Sequence, residues 1–157
     1  MTKVEKRFTV SRMTEADAAE AAVIDAEVYT TPWSERSFSD SLKKDCYLFL
    51  TVRGEGPEIL GYCGLVQSFD EADITNVTVR GKARGQGIAF LMLNELMEEG
   101  RKRGISRFSL EVRASNQPAI SLYRKLGFCQ EGRRKNFYSL PEEDALIFWK
   151  DETRADG

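Results

Sequence analysis

The 157-residue sequence contains no histidine. Ser-His-Asp and Cys-His nucleophilic arrangements are therefore excluded, as is acid–base or metal chemistry built on imidazole. An enzyme of this composition has only carboxylate, tyrosine, backbone and water for its proton work. Cysteine is scarce. Cys46, Cys63 and Cys129 are widely separated and odd in number, so neither a disulfide framework nor zinc spacing is present, and reduced, partly buried thiols are expected. Long apolar runs are also missing; a stretch such as Tyr47 to Leu50 is far too short to span a bilayer. The start, Met1 to Arg7, is polar and lacks a signal-peptide core, so a cytoplasmic protein with no membrane association is expected. A net charge of −2 gives no general pull toward nucleic acid, and no direct nucleic-acid binding is expected. Repeats, linkers and low-complexity segments are absent, so residues 1–157 read as a single domain, long enough to bury roughly two-thirds of its unfolded surface.

What is present is organised around residues 74 to 104. A β-rich run, Ile74 to Val79, leads through a polar turn with Arg84-Gly85-Gln86-Gly87-Ile88-Ala89 into a long amphipathic helix over 86 to 103. The first helical N–H groups have no intrahelical acceptor and the dipole is positive there, so a phosphate can rest on backbone amides. Ile88, Met92, Leu96 and Gly100, with Ala89, Leu93 and Met97, form the face expected to pack on a sheet. Asn94, Glu95, Glu98, Glu99, Arg101 and Lys102 form the face expected outside, and Gly104 the stop. The loop is neither a Walker A nor a dinucleotide fingerprint, because no Gly-Lys-Ser/Thr follows and Gly-x-Gly-x-x-Gly fails after Gly87.

Upstream, Phe8 to Met13 reads as a strand, Thr14 with Asp17 as the opening of a helix, and Ser34 as the cap of a shorter helix carrying Phe38 and Leu42. Tyr47 to Val52, Ile59 to Gln67 and Ile74 to Val79 follow with short links, as an antiparallel meander. The crossover helix makes Arg107 to Arg113 parallel to its predecessor. Asn116 or Ser115 caps a helix with Pro118 in its first turn and Gly127 after its end. Phe128 to Tyr138 and Ala145 to Trp149 close the chain, with a frayed tail expected from Asp151.

Arg84, Gly87 and Ala89 match Arg/Gln-x-x-Gly-x-Gly/Ala, a spacing that resembles the pyrophosphate loop of the GNAT superfamily of acyl-CoA-dependent N-acyltransferases. The element order is similar to that fold over nearly the whole chain. Leu110-Glu111-Val112-Arg113-Ala114-Ser115-Asn116, Ala119-Ile120, Leu122-Tyr123 and Leu126-Gly127-Phe128 resemble the ribosomal-protein-alanine N-acetyltransferases of the RimI type. So do Pro32-Trp33-Ser34-Glu35, Asn136-Phe137-Tyr138 and Glu143-Asp144-Ala145. The implied fold class is α/β: a mixed central sheet with antiparallel N-terminal strands, a parallel pair in the middle and flanking helices. The turn Arg80-Gly81-Lys82-Ala83 and Phe137 depart from the pattern, which leaves room for a different sequence preference.

The resemblance implies acetyl-CoA as co-substrate, no metal, and direct transfer to the N-terminal amine of a protein, the alanine of a small-subunit ribosomal protein. Glu111 is implied as general base, acting directly or through water. A free Glu titrates at ~4.3, so an efficient base here needs burial to raise it, which is the expectation; the plainer reading is the polar side of a half-buried strand. Tyr123 is implied as proton donor to the leaving thiolate, against core packing of its helix face. Val77, Thr78 and Val79 would use backbone to hold the pantetheine, unless theirs is a fully paired strand. Arg84, Gly85, Gln86, Gly87, Ile88, Ala89 and Phe90 would meet the pyrophosphate, and Asn116 would contact CoA or cap its helix. Trp33 and Tyr138 would wall a peptide groove, Trp33 being otherwise a hydrophobic plug. Glu27, Glu35, Asp70, Glu71, Glu143 and Asp144 could favour a cationic N-terminus or basic residues that follow it, and Arg133-Arg134-Lys135 could meet a CoA phosphate or ribosomal RNA, or each could only solvate a face. Two alternatives stand beside this reading: transfer to a lysine, polyamine or other small amine, and a non-catalytic acyl-CoA-binding module. A monomer or weak homodimer is expected.

Overall fold

Alternation of apolar and polar residues over 107 to 113 and the apolar runs at 47 to 52 and 59 to 66 make strands of a single twisted sheet, and the amphipathic segments lie on its faces. In the computed structural model, which describes residues 2–5 and 7–153, the strands are β1 (Thr2–Glu5), β2 (Phe8–Arg12), β3 (Tyr47–Arg53), β4 (Ile59–Ser68), β5 (Glu71–Val79), β6 (Arg107–Arg113), β7 (Cys129–Tyr138) and β8 (Glu143–Asp151). The helices are α1 (Ala18–Val28), α2 (Glu35–Leu42), α3 (Ile88–Lys102) and α4 (Gln117–Lys125). The order across the sheet is β1-β2-β3-β4-β5-β6-β8-β7, antiparallel throughout except for the parallel β5–β6 pair.

Local chemistry explains the ends. Thr14 and Asp17 form a reciprocal capping box before α1, and the Ser34 hydroxyl accepts the Ser37 N–H at 3.1 Å to open α2. At the end of α3, Gly104 takes φ 87° while Ile105 N–H bonds Gly100 C=O and Gly104 N–H bonds Arg101 C=O, the Schellman arrangement.

Two apolar clusters sandwich the sheet. α3 and α4 pack Ile88, Met92, Leu96, Ile120 and Tyr123 onto Leu50, Cys63, Leu65, Phe108, Leu110 and Phe148. α1 and α2 cover the other face with Ala18, Ala21, Ile24 and Phe38 over Phe49, Ile59 and Tyr62.

Several expectations need correction. β5 starts at Glu71, three residues before the expected Ile74, because Glu71 and Asp73 find partners across the parallel pair in Arg107 (2.8 Å) and the Ser109 hydroxyl. Glu95 and Glu99, expected outside, are 8% and 7% exposed, and Glu99 pairs with Lys102 at 3.1 Å. α3 begins at Ile88, since Gly87 is its left-handed cap. Cys46 and Cys129 are exposed, while Cys63 is buried. Asp151 ends β8, and Glu152 accepts Arg101 at 2.7 Å, so the expected fraying does not begin there. The remainder of that tail, 154–157, lies outside the described residues. β1 has only one apolar residue in four and gave no alternation to read.

Candidate active site

β5 and β6 pair only at Glu71–Arg107, Ala72–Phe108 and Asp73–Ser109. Beyond that point β5 stays with β4 to Val79 and β6 stays with β8 to Arg113, with no ladder joining them. The cause is local. Thr75 is an extra residue between the Gly64–Asn76 and Leu65–Ile74 pairs, a bulge that bends β5 away from its parallel neighbour. The fully paired alternative for 77 to 79 is thereby excluded.

Arg80 N–H bonds Leu60 C=O of β4 at 2.8 Å, so backbone alternation turns the polar groups of Val77 and Val79 to the open side and those of Thr78 to β4. On the open side the Val77 carbonyl accepts the Tyr29 hydroxyl at 2.9 Å, and the Val79 carbonyl faces Arg84 Nε at 3.4 Å.

The start of α3 lies beside this opening. Gly85 and Gly87 have φ 81° and 80°, the left-handed region that a side chain disfavours, and no side chain caps the helix. The first helical acceptor is Gly87 C=O, taken by Leu91 N–H at 3.0 Å, so the amides of Ile88, Ala89 and Phe90 have no acceptor within the helix. Against them is a cavity of about 430 Å³ walled by Val79, Arg84, Phe90, Pro118, Ser121, Leu122 and Lys125. The Gln86 amide oxygen lies outside this wall, accepting Arg7 at 3.0 Å.

Tyr123, on the inner face of α4, packs its ring against Phe128 and Phe148 at 6.1 and 6.3 Å. Burial pushes its phenol well above the ordinary tyrosine value, and Tyr29 and Tyr138 add to the rise. Tyr138 is pushed up to about 12 by burial first and then by the Glu111 carboxylate; its ring carries the Arg113 guanidinium at 4.4 Å. Tyr138 thus links Glu111 electrostatically to Tyr123, which is buried, and to Tyr29, which is bonded to the opened strand. Glu111 itself is exposed, and its Oε2 pairs with Arg134 Nε at 3.2 Å. The burial expected of it is absent, because among the described residues α1 and α2, which cover that face, pack on β3, β4 and β5.

Asn116 caps α4, accepting Ala119 N–H at 3.3 Å. Trp33 is in the aromatic cluster of the α1–α2 face, with ring distances of 5.2 Å to Phe38, 5.8 Å to Phe49 and 6.3 Å to Tyr47, the contacts of a plug. Most of the candidate recognition acids are already engaged: Glu27 with Arg80 (3.0 Å), Glu71 with Arg107, Glu143 with Arg113 (3.3 Å) and Asp144 with Arg133 (2.7 Å).

An anion-ready helix start joined to an unpaired strand edge suits an extended ligand with a phosphate at one end and amides along its length. Comparison with known proteins gives the same direction. Residues 14–128 match the model of the acetyltransferase (GNAT) family. The chain belongs to the GNAT acetyltransferase family. An Escherichia coli K12 relative named [ribosomal protein bS18]-alanine N-acetyltransferase is 33% identical over 141 residues, 88% of this chain and 94% of the relative. A Bacillus subtilis relative, provisionally given the same name, is 38% identical over 126 residues, 80% of this chain and 83% of its own. The crystal structure of the E. coli ribosomal-protein-S18-alanine N-acetyltransferase superimposes with TM-score 0.85 at 32% identity, covering 94% of this chain and 96% of that one.

As a GNAT acetyltransferase, this protein takes its acetyl group from acetyl-CoA, and the uncapped amides, the left-handed glycines and the open β5 edge fit that molecule's pyrophosphate and pantetheine. Sequence reasoning missed Pro118, Ser121 and Lys125 on the cavity wall. Their spacing with Leu122 along α4 is a helical stripe beside the Tyr123 face, which would have found them. Tyr29, bonded to the Val77 carbonyl, was missed as well, since no local signal sets it apart.

Proposed function

We propose that this acetyltransferase modifies the N-terminal α-amine of a protein, with the N-terminal alanine of a small-subunit ribosomal protein as preferred acceptor. The observation that carries the reading is the β5–β6 opening flanked by Glu111 and Tyr123, the residue pair expected of a direct transfer with no covalent enzyme intermediate. The activity in the names of the E. coli and B. subtilis relatives supports the choice of acceptor.

Acetyl-CoA supplies an activated thioester; the chain's own groups do the rest. Amides of Gly85, Gln86, Gly87, Ile88, Ala89 and Phe90, with the Arg84 cation, neutralise the pyrophosphate. Val77 and Val79 hold the pantetheine by backbone and polarise the acetyl carbonyl, Thr78 keeps the strand on β4, and Asn116 adds a contact from the α4 cap. Glu111 takes the α-ammonium proton through water, which its exposure allows, and an arriving cationic N-terminus competes with Arg134 for the carboxylate. The freed amine attacks the acetyl carbon; as the C–S bond breaks, the Tyr123 phenol, kept protonated by burial, gives its proton to the leaving sulfur and is restored by the proton the new amide nitrogen loses. Tyr138 forms the acceptor wall, and Trp33, a plug in its aromatic cluster, anchors the segment that joins α1 to α2. Residues 1–157 act as one domain, in the cytoplasm, as a monomer or weak homodimer.

The test is release of free CoA from acetyl-CoA with paired peptides of ribosomal-protein-like sequence, one with a free N-terminal alanine and one N-blocked with an internal lysine. Turnover only on the free N-terminus, with kcat lowered about 10²- to 10⁴-fold in Glu111→Gln, is expected. Turnover confined to the lysine peptide would overturn the acceptor assignment, and tight acetyl-CoA binding without turnover on either would overturn the α-amine reading.

A further inference from the structure

Asp25 stands apart from the machinery above. It is 1% exposed, yet it is a carboxylate near the end of α1 that bonds two groups outside its own helix. One Oδ accepts the Trp33 backbone N–H at 2.7 Å, on the segment joining α1 to α2. The other accepts the hydroxyl of Tyr62, a fully buried residue of β4. A buried carboxylate with these two donors is satisfied, but a core of aliphatic residues would fill the same space at lower desolvation cost. Its presence calls for a reason beyond packing.

The reason lies in what the two donors hold. Tyr62 stands directly opposite Thr78 in the β4–β5 ladder, on the part of β5 that has left β6. The Thr78 hydroxyl reaches the Tyr29 hydroxyl at 3.5 Å, and Tyr29 donates to the Val77 carbonyl. Tyr29 is itself the first residue after α1, its N–H on the Asp25 carbonyl at 2.9 Å. The circuit is closed: Asp25 binds β4 through Tyr62 and the 29-to-33 segment through Trp33, and that segment returns to β5 through Tyr29. Tyr29 remains 42% exposed at the lip of the opening.

We propose that Asp25 is a positioning residue that clamps the Tyr29–Trp33 segment onto the opened strand, and so sets the geometry of the peptide side of the site. This rests on the proposed reading that a peptide N-terminus enters at that lip. The clamp bears more on the acceptor than on acetyl-CoA: it reaches the pantetheine strand only through Tyr29 on the Val77 carbonyl and Thr78, while the cavity at the start of α3 is not lined by Asp25, Tyr62 or Trp33.

Two variants loosen it with little change of volume. Tyr62→Phe removes one donor, and Asp25→Asn replaces an acceptor oxygen by an NH₂ group that cannot accept. Each is expected to raise KM for the acceptor peptide about tenfold while KM for acetyl-CoA stays within about twofold, as loss of one charge-assisted hydrogen bond implies. A purely structural role would lower the melting temperature, leave both KM values at wild-type level in the folded fraction, and overturn the proposal; so would a parallel rise in both. A second readout needs no acceptor. In a Trp149→Phe background the remaining tryptophan is Trp33, and Tyr62→Phe should make its fluorescence more accessible to acrylamide. If wild type transfers to no N-terminal peptide, the functional reading fails by itself, and unchanged Trp33 quenching in Tyr62→Phe then sinks the clamp independently.

Discussion

Four tyrosines, Tyr29, Tyr62, Tyr123 and Tyr138, line or support the opening, and burial is the first cause of a raised pKa in each. A raised folded-state value means the unfolded chain loses its phenol protons at lower pH than the native one. The stability these groups contribute is therefore complete below the unfolded value near ~10 and is lost as pH rises from there through the folded values. The melting temperature should fall steeply above about pH 10, and Tyr123→Phe should flatten that alkaline limb, as a thermal-melt series from pH 8.5 to 11.5 would reveal. An alkaline limb as steep in Tyr123→Phe as in wild type would refute the assignment. At acid pH the sign reverses. Asp144 and Glu143 are held below their usual values, Asp144 first by the Asn136 N–H and Glu143 first by its bonds to Ser115, so their contribution is lost as pH falls through the carboxylate range.

α3 shows two rules in opposition. Gly100 lies inside the helix, where alanine gains about 1 kcal/mol in propensity. A Cβ at that position would meet the Phe108 ring at 2.8 Å, and Phe108 is fully buried, so the neighbour cannot yield. Overpacking of this kind costs about 1–3 kcal/mol, so Gly100→Ala should be net destabilising, by up to about 2 kcal/mol in urea unfolding. Stabilisation would show that α3 can lift off β6 without penalty. Gly87→Ala acts differently: nothing lies within 4 Å of its Cβ, and the cost of about 1–2 kcal/mol comes from its positive φ alone. The capping box, the Ser34 cap, Pro118 in the first turn of α4 and the glycine stop after α3 were all legible, because each is set by residues three or four apart. The length of β5 was not, since Glu71 and Asp73 resemble a polar turn until Arg107 and Ser109 are placed across from them.

At the scale of the molecule, a sheet with a different cluster on each face divides the work. The α3–α4 face provides the cavity proposed for acyl-CoA, and the α1–α2 face carries the segment proposed to guide the acceptor. Phe38 is the keystone of the second face, fully buried with ring contacts at 5.2 to 5.8 Å to Trp33, Phe49 and Tyr62. Phe38→Ala should cost about 3–5 kcal/mol, a large share of a stability of about 5–15. Calorimetry should register it as one transition shifted downward; a small shift would mean that α1 and α2 repack readily. Arg80 ties this face to the start of β4, bonding Ile59 C=O at 2.8 Å and pairing with Glu20 and Glu27, which explains what an arginine does in a turn that departs from the family pattern.

Periodicity and caps determined the element order and the mixed sheet, because both are written over short separations along the chain; the Arg84–Ala89 segment proposed for CoA and the proposed pair Glu111 and Tyr123 came from the family resemblance of short motifs. Three matters were decided only in three dimensions. The bulge at Thr75, which opens β5 from β6, depends on the register with β4. The exposure of Glu111 depends on which helices reach the far half of the sheet. The circuit from Asp25 through Tyr62 to Val77 joins residues up to 52 positions apart, and a carboxylate buried among such partners reads, in sequence, as one more polar residue on a helix. Contacts of that range are made by packing two layers against a twisted sheet, and no local pattern encodes which polar groups will meet there.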